Sequence, residues 1–379
     1  MKAIWDKLVL WFLTTLFCWF IAIYLGLIRR RKMSHNNGVS GRGRIRVVED
    51  QRFPPHPFFA PGAEFGARVR HASAGFMDDG MVLVRSLSLK FADAPVASPL
   101  DLELNSGRSL FWTARNFLQF VFMRRNKRGV CYTEWYKRYP AGREAARDSL
   151  VRLPGSYHTL EYTSQCPLSW VGTDGVQRYA CYRVVPHGAP LEPSGLDEAR
   201  FGRFEGSQQL DPAEPRDRNY LKREWVERVA RGPIEYLIQV QTREAKAGED
   251  PEIFNSNKPW DAAQFPWHDL ATVTIDRALG WEDDQFMWFS LSHHPPGLGI
   301  LPAKSIDDPN SLNYMRAKSD IAKRARIWAL KRRGVWPRLP NHGERNVDEF
   351  NDDAELYPEG VEAARLEQKK SDASWGAAG

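Results

Sequence analysis

The longest apolar stretch of the chain lies near its N-terminus, where residues 8–28 include no charged side chain. As a helix rising 1.5 Å per residue, this stretch would be about 30 Å long, which matches the hydrocarbon core of a bilayer. Residues 29–32, which follow it, are all basic. A cleaved signal peptide is the alternative, but its apolar region is shorter and ends in small residues. The pattern therefore predicts a single-pass transmembrane helix over residues 8–28, with the main domain in the cytoplasm because basic flanks stay on that side.

Beyond this helix, apolar and polar residues alternate in short segments bounded by Gly, Pro and Asp, which is typical of strands. The predicted strands cover residues 41–48, 66–72, 81–91, 100–104, 157–171, 178–185, 234–242, 271–278 and 285–290. Helical spacing is found over residues 109–125, over residues 133–150 with an interruption at Pro140, and over residues 311–333. Strands in two groups, with helices between and after them, predict an α+β fold around an antiparallel β-barrel.

Two segments are too polar to belong to a core. Residues 192–222 are rich in Pro, Gly, Asp and Arg, which predicts a long surface excursion. In residues 334–379 acidic residues outnumber basic ones, which indicates a partly disordered acidic tail. The chain therefore divides into a membrane helix over residues 8–28, a domain over residues 29–333 and a tail over residues 334–379.

Composition narrows the classes of protein to consider. The chain has 379 residues, 42% of them hydrophobic and 26% charged, so it is not wholly disordered, collagen-like or a multi-span membrane protein. A net charge of +6 is mild for this length and argues against a nucleic-acid partner. The four cysteines lack the close spacing of a zinc site, so we expect reduced, buried thiols.

Several short motifs follow one another along the chain. They are SHNNGVSGRG at residues 34–43, VRHAS at 69–73, RSLSLKF at 85–91, DLELN at 101–105 and FWTARNFLQF at 111–120. Their order resembles the haem-catalase superfamily, in which a His-x-x-Gly segment precedes Val-Arg-Phe-Ser, Arg-Gly-Phe-Ala-Val-Lys-Phe, Asp-Leu-x-x-Asn and an aromatic helix. The resemblance covers roughly residues 32–330. The total length is similar to that of the short branch, which includes mini-catalases, organic peroxidases and allene oxide synthases.

The resemblance implies a catalytic pair for peroxide chemistry. Splitting a peroxide needs a base that moves a proton between its oxygens and an amide that holds the leaving oxygen. His35 and Asn105 occupy the matching positions, although His35 could also be an ordinary polar residue of a Gly-rich loop. Ser34 could engage the base through its hydroxyl. His71 stands where the family has Phe, so we expect it to pack rather than react.

The resemblance also implies haem b as the cofactor. Arg70 matches an arginine that binds a propionate, which a guanidinium does through two parallel hydrogen bonds. Lys32 replaces a second such arginine; it keeps the positive charge but cannot form the two parallel hydrogen bonds of a guanidinium. Phe117 matches an aromatic residue on the wall beside His35, and it could equally be an ordinary residue of the helix core.

The iron ligand departs from the family pattern, which is Arg-x-x-x-Tyr. In one register Arg316 is the arginine and Asp320 stands in place of the tyrosine. In another, Tyr314 is the ligand and Asn310 takes the place of the arginine. Tyr314 and Asp320 are six residues apart and would point about 120° away from each other on one helix. Three possibilities stay open: Tyr314 as ligand, Asp320 as an unusual ligand, or no haem ligation, with Asp320 paired to Arg316 or Arg324.

These features predict a membrane-anchored haem enzyme that acts on hydroperoxides. His35 follows the apolar stretch by seven residues, so an extended chain keeps it within about 25 Å of the membrane surface. We therefore expect organic or lipid hydroperoxides to be preferred over hydrogen peroxide, with membrane lipid as the other partner. The alternative is a haem-free, catalase-like binding or scaffold protein.

Overall fold

The structure is a computed structural model that describes residues 1–35, 38–73, 79–126, 130–203, 215–216 and 219–333. The predicted acidic tail over residues 334–379 lies outside the described residues. Eleven strands are found in the described part, and all of their pairings are antiparallel. They are β1 (Gly38–Val47), β2 (Glu64–Ser73), β3 (Leu83–Lys90), β4 (Asp101–Asn105), β5 (Leu150–Val151), β6 (Tyr162–Ser164), β7 (Leu168–Val171), β8 (Gln177–His187), β9 (Ile234–Glu244), β10 (His268–Ala278) and β11 (Leu298–Ile300).

Eight of these strands close into a barrel in the order β8–β6–β4–β3–β2–β1–β10–β9, with β9 returning to β8. The closing pair is long, from Arg178 opposite Glu244 to His187 opposite Glu235. Alternate side chains of the strands point inward and form the main core. Closure leaves no free sheet edge around the ring. The predicted α+β fold with an antiparallel barrel is confirmed.

Helices surround the barrel and account for the remaining core clusters. They are α1 (Lys2–Ile21), which continues as a π-helical segment over Ala22–Arg29, α2 (Ala114–Asn126), α3 (Val130–Arg138), α4 (Pro140–Ser149), α5 (Glu198–Arg203), α6 (Tyr220–Arg231), α7 (Trp281–Phe286), α8 (Ser311–Lys318) and α9 (Asp320–Arg333). The predicted interruption at Pro140 is the boundary between α3 and α4.

Three sequence predictions need correction. The strand expected over residues 285–290 is wrong, because α7 ends at Phe286 and the following residues are extended without pairing; three acidic residues in its first turn favour the helix. The strand expected over residues 157–171 is divided into β6 and β7. The helix expected over residues 311–333 is broken at Ser319, whose hydroxyl donates to the carbonyl of Arg316 at 2.6 Å.

The segment expected as a surface excursion over residues 192–222 is partly a core element. Leu196 and Phe201 are buried in the cluster formed with α3 and α4. Tyr220 and Leu221, at the start of α6, are buried against the barrel. Polar composition therefore concealed the apolar anchors at the two ends of this segment.

The N-terminal helix lies against the domain along much of its length. Lys2–Arg29 is the one described helical stretch that is long and apolar enough to cross a membrane. Leu10, Phe17 and Ile21 are buried on α8, α9 and α2. A Cβ on Gly26 would lie 3.1 Å from the carbonyl oxygen of Ala322, so the two helices meet at their backbones. The helix thus forms part of the folded domain on one side and exposes apolar side chains on the other.

Candidate functional site

A cavity of about 290 Å³ lies between the barrel, the segment after the N-terminal helix, and helices α8 and α9. Its size is at the lower end of the range for small-molecule pockets. His35, Asn105, Ser34, Arg70, Phe117 and Arg316 all line it, so the structure brings six of the eight predicted site residues together. Tyr314 and Asp320 are not among the lining residues.

The position of His35 depends on a close approach of the backbone to β2. A Cβ on Gly38 would lie 2.5 Å from the carbonyl oxygen of His71 and 2.6 Å from Nη2 of Arg70. Only glycine fits there, which explains the spacing of the His-x-x-Gly motif. The carbonyl of His35 accepts a hydrogen bond from Nη1 of Arg70 at 2.8 Å. The backbone φ of His35 is 58°, in the left-handed region. With its backbone held in this way, His35 lines the cavity.

The imidazole of His35 is set up as a neutral proton acceptor. Nδ1 lies 2.7 Å from the hydroxyl oxygen of Ser34, as expected from their adjacency. Nε2 is buried and has no hydrogen-bond partner among the described residues. Burial, and secondarily the charge of Arg70, lower the pKa of His35 to about 4. At neutral pH the ring is therefore uncharged.

Aromatic side chains form the apolar part of the cavity. Phe117 packs edge-to-face on Phe111 at 5.2 Å and on Phe17 of the N-terminal helix at 5.9 Å. Trp288 and Phe289 line the cavity as well. Phe117 thus lines the cavity and also packs in the helix core, so both roles considered for it from the sequence are found.

Glu103 is a site residue that the sequence analysis did not identify. Its Oε1 accepts from Nζ of Lys323 at 2.9 Å, and its Oε2 accepts from Nη2 of Arg316 at 3.1 Å. Burial alone would raise the pKa of Glu103, but the two cations outweigh burial and lower it. The carboxylate is therefore charged and joins β4 to both α8 and α9.

A group of buried cations forms the other polar region. Nε and Nη2 of Arg70 donate to the two oxygens of Asp284 at 2.8 and 3.2 Å. Lys32 donates to the carbonyl of Met287 at 3.0 Å, and burial together with Arg70 lowers its pKa. Burial, and then Arg70, lower the pKa of Arg326 to about 9. Crowded cations of this kind favour an anionic ligand, because a negative charge would relieve their mutual repulsion.

The two candidate iron ligands do not line the cavity, and their polar atoms are engaged elsewhere. The phenol of Tyr314 lies 3.2 Å from Nζ of Lys318, beside the N-terminal helix, and burial raises its pKa. Asp320 is buried and accepts hydrogen bonds from Trp288 and from the hydroxyl of Ser290. It forms neither of the pairings considered above, since its nearest cation is Lys323 at 3.6 Å. Arg316, the arginine of the first register considered, therefore lines the cavity, but no tyrosine lines the cavity beside it.

A haem held by tyrosinate does not fit these residues. His35, Asn105 and Phe117 line the cavity, as the resemblance implies, but its described lining residues include no tyrosine or cysteine. Both oxygens of Asp320 are engaged, and the two donors of Arg70 bind Asp284 where a propionate would be expected. The cavity therefore holds the residue pair expected for peroxide chemistry without the tyrosine expected to hold the iron.

His71 and the described cysteines lie outside this chemistry. Nε2 of His71 is 2.7 Å from the hydroxyl of Tyr236 inside the barrel, and the ring stacks on Tyr157. This position agrees with the packing role that was predicted. Cys18 and Cys166 are free and buried, and Cys181 is free and partly buried.

The missed residues had signals in the sequence. Glu103 and Asn105 are two apart on a strand, so their side chains share a face. Arg316 and Lys323 are seven apart, which is two turns of a helix. Asp284 carried no such signal, because it reaches Arg70 only through the tertiary fold.

The sequence is similar to known proteins, although no protein-family model matches it. It is 33% identical over 294 residues to the allene oxide synthase-lipoxygenase protein of Plexaura homomalla, which covers 76% of this chain and 27% of that protein. It is 27% identical over 314 residues to linolenate 9R-lipoxygenase of Nostoc sp., covering 77% of this chain and 38% of that protein. The catalase-related peroxidase of Mycolicibacterium paratuberculosis is 24% identical over 254 residues, with coverages of 64% and 72%. The chain thus spans well under half the length of the first two relatives.

Solved structures show the same fold. A bacterial catalase superposes with a TM-score of 0.60 at 14% identity, covering 83% of this chain and 62% of that one. Catalase A from Saccharomyces cerevisiae gives a TM-score of 0.60 at 15% identity, with coverages of 81% and 64%. These matches identify the chain as a protein of catalase-like fold.

Proposed function

We propose that the chain is a membrane-associated protein whose cavity binds organic or lipid hydroperoxides in preference to hydrogen peroxide. The observation that carries this proposal is the buried Nε2 of His35, which has no partner among the described residues and faces a cavity with aromatic and cationic walls. The names of the sequence relatives, among them a catalase-related peroxidase and an allene oxide synthase-lipoxygenase protein, support a ligand of this class.

The peroxide group would be held between His35 and Asn105. When Nδ1 of His35 carries the proton and donates it to Ser34, Nε2 is an acceptor for the O–H of a hydroperoxide. The low pKa of His35 keeps this acceptor available at neutral pH. The amide of Asn105, which also lines the cavity, can donate to a peroxide oxygen.

The rest of the cavity suits an amphipathic molecule. Phe17, Phe111 and Phe117 offer apolar surface for a hydrocarbon tail. Lys32, Arg70 and Arg326 would favour a carboxylate or phosphate at the other end. Hydrogen peroxide makes neither contact, which is the physical reason for the proposed preference.

Binding of a fatty-acid hydroperoxide tests the proposal. Protein in nanodiscs is titrated with the hydroperoxide and with the parent fatty acid, which has no O–H group on its chain, and binding is followed by tryptophan fluorescence because Trp288 lines the cavity. One hydrogen bond of about 1 kcal/mol predicts roughly fivefold tighter binding of the hydroperoxide. His35→Leu should abolish this difference, whereas His294→Leu, which changes an exposed ring, should not. Equal affinities for the two ligands in wild type would refute the proposal.

A second candidate is haem-dependent turnover of the bound hydroperoxide. It is favoured by His35, Asn105 and Phe117, which all line the cavity as the resemblance to haem catalases implies. Soret absorbance after expression with haem b supplied tests it directly. Because Tyr314 does not line the cavity, Tyr314→Phe should leave any Soret band unchanged. If wild type has no Soret band, this candidate fails.

The proposed orientation places the domain in the cytoplasm. The basic residues 29–32 support it, since such residues are retained on the cytoplasmic side. Protease digestion of sealed vesicles of known sidedness checks it. Digestion of the domain only in vesicles that expose the cytoplasmic face is expected, and the opposite pattern would contradict the orientation.

A further inference from the structure

The N-terminal helix is apolar around its whole circumference, yet only one side of it is covered by protein. Leu10 and Ile21 are among the residues buried against the domain. The opposite side exposes large apolar side chains, each about half exposed or more, including Trp5, Phe12 and Trp19. A helix that is apolar on every side is normally buried on every side. The exposed side therefore calls for an apolar environment of its own.

The docked side is too long for an upright membrane span. Contacts with the domain extend from Leu10 to Gly26, which is about 24 Å of helix at 1.5 Å per residue. The hydrocarbon core that a span must cross is about 30 Å thick. Nζ of Lys318 on α8 donates to the carbonyl of Trp11 at 3.2 Å, within this docked stretch. An upright helix that kept these contacts would carry α8 and its charges into the bilayer, at a cost of several kcal/mol.

The end of α9 is basic and aromatic, and it meets the end of the N-terminal helix. Trp328 is 51% exposed, and the guanidinium of Arg332 lies 5.1 Å from the centre of its ring. Lys331 and Arg333 are exposed beside it. Nη1 of Arg30 donates to the carbonyl of Arg333 at 3.0 Å, so the basic ends of the N-terminal helix and of α9 meet. Tryptophan with Lys and Arg is typical of the boundary between acyl chains and anionic headgroups.

We infer that the N-terminal helix lies in the plane of the membrane, between the domain and the acyl chains of a single leaflet. The end of α9 rests on anionic headgroups at the same surface. This inference rests on the proposed membrane association and replaces the transmembrane span expected from the sequence. The arrangement satisfies both sides of the helix without undocking it, because the domain covers one side and lipid covers the other.

The cavity then lies directly behind the membrane surface. Phe17 and Ile21 line the cavity from the N-terminal helix, while Trp19 and Phe20 on the same turns are exposed. One helix, about 10 Å across, therefore separates the cavity from the acyl chains. A lipid hydroperoxide leaving the leaflet would meet this helix first.

The side of the membrane on which the N-terminus lies tests the inference. An epitope placed before Met1 is digested together with the domain in sealed vesicles that expose the domain, if the helix lies in the plane. In a span, the epitope is protected while the domain is digested. Protection of the epitope would overturn the inference and leave the proposed ligand binding unaffected.

Depth measurements give an independent test. Spin labels are introduced as an unnatural amino acid at Leu8, Leu16 and Ile23, which are exposed positions along the helix. The in-plane helix predicts similar shallow depths at all three, whereas a span predicts the greatest depth near Leu16. A label at Trp328 should contact headgroups in vesicles that contain phosphatidylserine, and a control label at Leu191, on an exposed loop of the domain, should not. Failure of the protein to float with vesicles would overturn the inference and the membrane association together.

Discussion

The lowered pKa of His35 makes the stability of the protein depend on pH in a defined direction. The folded state holds this imidazole at a pKa of about 4, while an unfolded chain would titrate near the ordinary value of 6.5. Between these values the unfolded state binds a proton that the folded state does not, so stability falls as pH falls below about 6.5. Above that pH both states are neutral and His35 contributes nothing to the dependence.

The magnitude follows from the pKa difference. One pKa unit corresponds to about 1.4 kcal/mol, and pH 5.0 lies about 1.5 units below the unfolded pKa. Lowering the pH from 7.5 to 5.0 should therefore cost the wild type about 2 kcal/mol through His35. Partial exposure of the ring to the cavity reduces this figure, so a loss of at least about 1 kcal/mol is expected.

Denaturant unfolding of wild type and His35→Gln at both pH values measures this loss. The other histidines titrate in both proteins and cancel in the comparison. Wild type should lose about 1–2 kcal/mol more than the variant on acidification. His294→Gln, which replaces an exposed imidazole, should follow the wild type. A difference below about 0.5 kcal/mol between wild type and His35→Gln would show that Nε2 is not held neutral by burial.

Three further predictions concern neighbouring residues. Ser34→Val should weaken binding of a fatty-acid hydroperoxide, because Nδ1 of His35 loses the hydroxyl contact that favours the tautomer with Nε2 as acceptor; the tryptophan-fluorescence titration measures this. Glu103→Gln should lower the free energy of unfolding by about 2 kcal/mol, because two hydrogen bonds between charged groups are lost, and Glu64→Gln, in an exposed ion pair, should cost under about 1 kcal/mol. Gly26→Leu should undock the N-terminal helix from α9 and expose residues 10–22 to proteolysis, whereas Gly202→Ala, which meets no described atom within 4 Å, should not.

The barrel could be predicted from the sequence because each long strand carries its own pattern of alternating apolar and polar residues. Alternation of apolar and polar residues marks each long strand, and closure in antiparallel order follows from burying one face of each strand. The same pattern gave a wrong prediction over residues 285–290, where no strand is formed. Its aromatic residues are buried for a different reason, since Trp288 packs with α9 and Phe289 lines the cavity. Alternation alone does not distinguish these two causes of burial.

The candidate site was predictable only where short motifs fix geometry. His35 and Asn105 follow from the turn before β1 and from the end of β4, both of which are local features. The break at Ser319 puts Tyr314 on α8 and Asp320 on α9, so their relative direction does not follow from the geometry of a single helix. The partner of Arg70 is Asp284, more than two hundred residues away. Such contacts are set by the fold and leave no periodic trace in the sequence.

The carboxylate of Glu103 has a mechanical consequence. It accepts hydrogen bonds from Arg316 before the break at Ser319 and from Lys323 after it. A single strand residue therefore sets the relative positions of α8 and α9. The N-terminal helix is docked on both of these helices. An anion that bound beside Glu103 would compete for its two cations and so change the position of the N-terminal helix on α8 and α9. By thermodynamic reciprocity, a lipid surface that held the helix in one position would change the affinity of the cavity for that anion by the same factor.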